Sequence, residues 1–312
     1  MLKLVSTSIR SFAFLAAGLL LSGLASCSQS THNARQQTPP PAMEYEQRQR
    51  EVAHLRQALE QGGDTSPAAL CRYTEDKPED LRRDLYALFW QMGTASQAQP
   101  KRAQFVEFML SRTPAETPLL RGQLLKWLQD FRKEDFNQNT IITLTALPWT
   151  PDYCPEVIRL IGIAGVPQAM PKLKAQVKDQ PLPEPPPPGY QNSNTWAALL
   201  ALARQGDDQA LTAVIQRVRE EQDIIVRATV LFYDLGYTRR SAAFDALRVY
   251  LNSDKRLPAV KDTVPGRLEA CHAAAVFSKH IKGFPIQETD FTEQQVIQVR
   301  PWVNAQTEWR FK

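Results

Sequence analysis

The sequence predicts an all-α superhelix, a solenoid of antiparallel helix pairs standing behind a signal peptide and a flexible tether. Three observations carry that prediction. Apolar residues recur at helical spacing from Met43 onward, while strand-like alternation is scarce. The 23 prolines outnumber the 13 glycines, and both gather between apolar stretches, as short helices joined by marked loops require. One pattern, an apolar helix, a glycine, a short turn and a second helix, returns through the second half of the chain.

Composition bounds the function before any motif does. Of 312 residues 43% are apolar, enough for a substantial core, and the 22% charged residues are ordinary for a globular protein. The net charge of +4 includes Lys3 and Arg10 of the leader; removing them from 37 bases leaves 35 against 33 acids. A remainder of +2 provides no concentrated basic face, so nucleic acid is not an expected partner.

The leader comes first. Lys3 and Arg10 precede an apolar core from Ser11 to Leu21, about a dozen residues where a bilayer span needs about 20. Leu24-Ala25-Ser26-Cys27 follows at the end of that core. It resembles the lipobox of bacterial lipoproteins, which implies cleavage between Ser26 and Cys27 and acylation of the Cys27 thiol. Membrane lipid is then the first expected partner. Ser28, rather than Asp, after the cysteine and the lack of an acidic run suggest the periplasmic face of an outer membrane. Residues 28–42 are polar and then Pro-rich, a tether stiffening at Pro39–Pro41. The chain thus divides into a signal peptide (1–26), lipidated Cys and tether (27–42), a helical region of degenerate repeats (43–150), and a more regular repeat region (151–312).

Within 43–150, Val52, Leu55 and Leu59 stripe a charged helix that Gly62-Gly63 ends, and Asp64-Thr65-Ser66-Pro67 reads as the cap of the next. Leu81, Leu85 and Leu88 share a face that Phe89 and Trp90 widen. Helices are expected over about 101–111 and 117–131, the latter buried through Leu120, Leu124, Leu125 and Leu128. Asn137 to Leu147 is β-branched enough to suit a strand, but its neighbours favour a short capped helix.

Beyond residue 151 the units are 160–165 with 168–177, 199–206 with 209–218, and 231–236 with 239–251. Gly165, Gly206 and Gly236 are expected to end the first helices in the left-handed conformation, and Asp207 or Asp208 and Thr238 to cap the second. The pattern resembles HEAT repeats and, more loosely, armadillo repeats, which implies an α-α superhelix with a protein-binding role. A Pro-rich insertion, 181–194, must project from the array. One long helix is expected from Pro265 to Lys282, and Trp302 and Trp309 belong to an aromatic cap.

Catalytic constellations are not evident. Cys71, Cys154 and Cys271 are too widely spaced for a zinc knuckle and read best as core residues, with one disulfide as the alternative. His272 and His280 are eight apart on one helix and do not align as a metal pair; neither is followed by Glu, as the ligands of HEAT-type di-iron hydroxylases are. No phosphate loop, Gly-x-Ser-x-Gly or His-Glu-x-x-His occurs, so neither metal nor cofactor is expected. Two features are candidates for binding. One is the Pro-rich insertion ending at Tyr190, with Trp196 and Trp302 as further aromatics at a mouth. The other is a basic strip of Arg217, Arg219, Arg227, Arg239, Arg240 and Arg248, which ordinary solvated faces would also give. The expected function is a non-enzymatic, membrane-anchored scaffold for another envelope protein. The alternatives are a carrier for a small ligand or wall polymer, and last an enzyme akin to HEAT-type lyases.

Overall fold

Helices follow the apolar periodicity throughout the computed structural model, which describes residues 45–150, 155–183, 187–259 and 266–312. The signal peptide, Cys27, the tether, Cys154 and part of the Pro-rich insertion lie outside the described residues. Among the described residues there is no strand beyond two isolated bridges, and no helix is long and apolar enough to cross a membrane.

The first half runs through α1 (Tyr45–Glu60), α2 (Pro67–Thr74), α3 (Glu79–Ala95), α4 (Gln99–Arg112), α5 (Pro118–Leu128) and α6 (Gln138–Ala146). Local chemistry sets these boundaries. Gly62 takes a φ of 97° after α1, and Ser66 caps α2 with Pro67 in its first turn. Thr117 and Asn137 cap α5 and α6 by accepting the backbone N–H groups of Leu120 and Thr140. The Asn137–Leu147 stretch is therefore helical: its cap is satisfied, and Thr140 and Leu144 turn inward one turn apart. Tyr86, Phe89, Phe105 and Phe108 interlock between α3 and α4.

Three units follow one another along the second half: α7 (Glu156–Ala164) then α8 (Met170–Asp179), α9 (Asn194–Arg204) then α10 (Asp208–Glu220), and a last first-helix then α13 (Ser241–Leu251), with α9 packed against α7, α8 and α10 alike. The last first-helix is composite. A one-turn α11 (Ile224–Val226) passes through a π-helical segment, Arg227–Leu231, into α12 (Phe232–Thr238). α14 (Glu269–His280) and α15 (Glu293–Asn304) close the array. The result is an all-α superhelix of successive pairs over one continuous core.

Three expectations need correcting. Gly165 and Gly206 do take left-handed φ values, 66° and 106°, but Gly236 does not. It lies inside α12, and a Cβ there would sit 2.5 Å from Val276 Cγ1 and 2.9 Å from His280 Cδ2, so its role is close helix packing. The left-handed position passes to Arg239, at φ 49° and ψ 41°. Thr238 is no cap either: its hydroxyl is buried and donates back to the Leu235 carbonyl. Finally, α14 begins only at Glu269, because Leu257 and Glu269 backbone N–H groups pair across the preceding loop with Arg267 and Lys255 carbonyls.

Buried ion pairs tie successive layers together: Arg82–Glu116, Arg102–Asp135, Arg159–Asp234 and Arg227–Glu269, each between 2.6 and 2.9 Å. At the far end, Phe244 gathers Phe277, Trp309 and Phe311 around it. The last residues fold back along α14, with Lys282 N–H on the Arg310 carbonyl and Lys312 N–H on the His280 carbonyl.

Candidate functional site

Beyond the packing of α5 and α6 on α7, the first half of the chain also reaches the far end of the second, where Lys279 at the end of α14 pairs with Asp130 just after α5, 2.9 Å apart and 149 residues distant in sequence. Behind this clasp lies a cleft of about 330 Å³, within the range of small-molecule sites. Its floor is a set of satisfied buried groups. Asp234, 4% exposed on α12, accepts from Arg159 Nη1 at 2.6 Å and from Trp196 Nε1 at 2.7 Å. Tyr237, one turn further on, donates its hydroxyl to the Arg159 carbonyl at 2.5 Å. Gly162 on α7 admits that hydroxyl, since a Cβ there would lie 2.2 Å from it. The Arg204 guanidinium lies over the Tyr237 ring, 4.9 Å from its centroid, and donates to the Tyr237 carbonyl.

Around this floor the charge is one-sided. Arg132, Arg159, Arg204, Arg239, Lys279 and Lys312 line the cleft against Asp130 and Asp234. Each of the two carboxylates already holds a partner, Lys279 and Arg159 respectively. A second cavity of about 470 Å³, lined by Lys133, Gly162, Gly165 and Thr238 among others, shares Arg204 and Arg239 with the first. Those two arginines therefore face both spaces.

Burial and mutual repulsion mark the groups here. Arg239 is pushed down to about 10 by burial, with Arg204 and Arg132 adding to the effect and Glu134 opposing it. Burial also lowers Arg204 and Lys312. His280 is held well below its ordinary value, first by burial and then by Lys279, Arg239, Arg204 and Lys312, and so stands neutral. Burial lifts Tyr237 to about 12, which keeps its phenol protonated. Two polar atoms of the lining are buried without a hydrogen-bond partner, Arg239 Nε and His280 Nδ1.

The residues singled out by sequence are dispersed. Of the arginine strip only Arg239 reaches the cleft, and its Nη1 donates at 2.8 Å to the main-chain carboxylate oxygen of Lys312, the last residue of the sequence. Arg240 is paired with Asp208, Arg217 with Glu220 and Glu221, Arg248 with Asp245, and Arg227 is buried on Glu269. Trp196 and Tyr190 do not stand at a mouth. Trp196 is fully buried, and Tyr190, 5% exposed, packs edge-on against it under the Arg217 guanidinium. The end of the insertion at Tyr190 is thereby drawn back onto the array, and Thr195 Oγ1 donates to the Gln180 carbonyl. Trp302 is half-buried against Phe284. Cys71 and Cys271 are core residues, and among the described residues no His, Cys, Asp and Glu cluster could hold a metal. Arg159, Arg204 and Asp234 escaped sequence reasoning, although an aspartate inside the apolar run Leu231–Gly236 is itself a signal of a buried polar site.

In comparison with known proteins, no family model, no curated protein and no solved structure matches the chain.

Proposed function

We propose that this chain is a lipid-anchored binding protein of the bacterial envelope, a HEAT-like scaffold held to the membrane through Cys27 and engaging another envelope protein through the cleft behind the Lys279–Asp130 clasp. The cleft carries this reading, because helices from both halves of the chain converge to build it and its polar floor is fixed by hydrogen bonds in place before any ligand arrives. Its titratable lining supports binding rather than proton transfer. Burial keeps Tyr237 protonated and His280 neutral around pH 7, so neither of the two is poised to exchange a proton. The leader supports the anchor: Leu24-Ala25-Ser26-Cys27 has the lipobox form, and acyl chains contribute about 0.8 kcal/mol per buried methylene. A second reading, a carrier for a small ligand, is favoured by the cleft's size alone.

The test is expression in a bacterial host with and without Cys27→Ala, crosslinking of intact cells, and identification of what accompanies the chain in membrane fractions. Wild type in the outer membrane with one or two reproducible envelope partners supports the scaffold. Membrane localisation indifferent to Cys27 refutes the anchor. An anchored chain that traps nothing transfers support to the carrier.

A further inference from the structure

The first turns of α1, α3 and α5 stand side by side along one edge of the array. Arg48 in α1 pairs with Asp80 in α3 and reaches Asp84 at 3.3 Å. Asp80, with Glu79 and Arg83, forms the α3 side of a groove of about 380 Å³, and Leu119, Leu120 and Gln123 of α5 form the other side. Leu119 is 78% exposed, the most open large apolar side chain among the described residues. Tyr45, where the described chain begins, is 67% exposed on the same edge, and its ring centroid lies 5.7 Å from Arg48 Cζ. The edge therefore carries apolar surface that nothing among the described residues covers.

One segment of this chain fits that surface by position and by chemistry. Residues 28–44 enter the fold at Tyr45, and their apolar residues collect at the end next to it, in Pro39-Pro40-Pro41-Ala42-Met43, with only Ala34 before them. Packed helices lie about 8–10 Å apart, which puts the groove between α3 and α5 about 15 Å from the start of α1. At about 3.3–3.6 Å per residue, residues 39–43 extend to between about 7 and 20 Å from Tyr45, a range that includes the groove. Prolines lose little freedom on docking and bring no N–H group that needs a partner. Met43 has an unbranched side chain that adapts to an irregular apolar wall. Glu44 adds a negative charge, and Arg83 at the rim, 52% exposed, can answer it. We infer that the α3–α5 groove is the docking site of the chain's own tether, with residues 39–43 laid over Leu119.

The cleft lies at the opposite ends of the same ridge of first helices. Thr94 is near the end of α3, Asp130 follows α5, and Arg204 and His280 close α9 and α14. Docking therefore holds the cleft on the side away from the anchor. It also shortens the leash from Cys27 to residues 28–38, about 40 Å at full stretch. That orientation rests on the lipid-anchor reading; the docking itself does not.

The full chain in detergent is tested with a photoreactive benzoylphenylalanine in place of Met43 and, in a second protein, in place of Leu119. Mass spectrometry maps what each one captures. The first should capture the segment around Leu119 within the same chain, and the second should capture residues 39–44. The first yield should fall at least tenfold with Leu119→Asp added, and the second with Pro40→Asp and Met43→Asp. Leu119 is exposed, so Leu119→Asp should keep the helical signal and the thermal midpoint of the folded chain. The same label at Val249 on α13, 67% exposed, should capture no tether residue and sets the background. Capture that joins two chains, seen as a dimer on a denaturing gel, assigns the groove to a second copy and overturns the inference. Capture of detergent alone, or tether yields no higher than at Val249, overturns it as well. Cys27→Ala should leave every crosslink in place, so a failed anchor and a failed docking are read separately.

Discussion

Two glycines in mid-helix should answer the same substitution with opposite sign. At Gly122 in α5 a Cβ meets nothing within 4 Å. Alanine there gains helix propensity alone, about 0.5–1 kcal/mol. At Gly162 in α7 the Cβ would lie 2.2 Å from the Tyr237 hydroxyl and 2.8 and 2.9 Å from Ala201 Cα and Cβ. The Ala201 atoms belong to a buried helix and cannot swing aside, so α7 and α9 must part. Overpacking of this kind costs about 1–3 kcal/mol, and contact with backbone places it near the upper end. Subtracting the propensity gain leaves Gly162→Ala less stable by about 2 kcal/mol. At about 2 °C per kcal/mol, the value for large domains, Gly122→Ala should rise by 1–2 °C and Gly162→Ala fall by about 4 °C. Thermal melts of the full chain in detergent, followed by circular dichroism at 222 nm, would read both. Adding Tyr237→Phe to Gly162→Ala removes the nearest obstacle but not Ala201, so rescue should be partial. A Gly162→Ala protein as stable as wild type would refute the close approach of α7, α9 and α12 that builds the cleft floor.

Asp234→Ala should be among the most damaging single changes, because it leaves the Arg159 guanidinium and the Trp196 indole N–H without their acceptor; a loss of about 3 kcal/mol is expected, the low end for a broken buried pair since Arg159 keeps 15% side-chain exposure. Glu293→Ala, which breaks the exposed pair with Arg256, should leave the midpoint unmoved, and equal effects of the two would contradict the burial argument. Stability should also fall in mild acid. His280 and His272 are both lowered by burial, so below their unfolded value of about 6.5 the unfolded chain takes up protons that the folded chain refuses. That contribution is whole above pH 6.5 and is lost as pH drops, by at most about 1.4 kcal/mol per pH unit for each group. Urea midpoints between pH 7.5 and 5.5 would measure it, and His280→Gln should flatten the slope; an identical slope in that variant would show that His280 is not buried neutral.

The sequence carried the helix pairs well and the cleft poorly, for a physical reason that individual residues make plain. Apolar spacing reports which face of a helix is buried, and Asp207 caps α10 as its position suggests. A glycine near a helix end is ambiguous: Gly165 ends its helix, while Gly236 lets Val276 and His280 approach. Only the neighbouring helix distinguishes the two. Arg217 and Arg240 look free in one dimension because their carboxylate partners stand beside them only in the fold or one helical turn away. The cleft draws on residues from Thr94 to Lys312, and no local pattern joins them. Asp234 was the legible clue, as a charge inside an apolar helix must be answered by something.

The π-helical segment Arg227–Leu231 has a consequence for how such a site survives a change in chain length. A helix that accommodates one extra residue in a single wide turn shifts everything after it by about 100° relative to a regular helix of the same length. Asp234 and Tyr237 both lie downstream of that turn, and Thr229 within it is exposed. Deleting Thr229 would let the segment relax to a regular helix with Asp234 and Tyr237 still directed at Arg159 and Gly162, because the wide turn had absorbed the residue that is lost. In the currency of descent, a one-codon insertion or deletion there is absorbed by opening or closing one wide turn, so the chain can change length at that point while the floor residues keep their places.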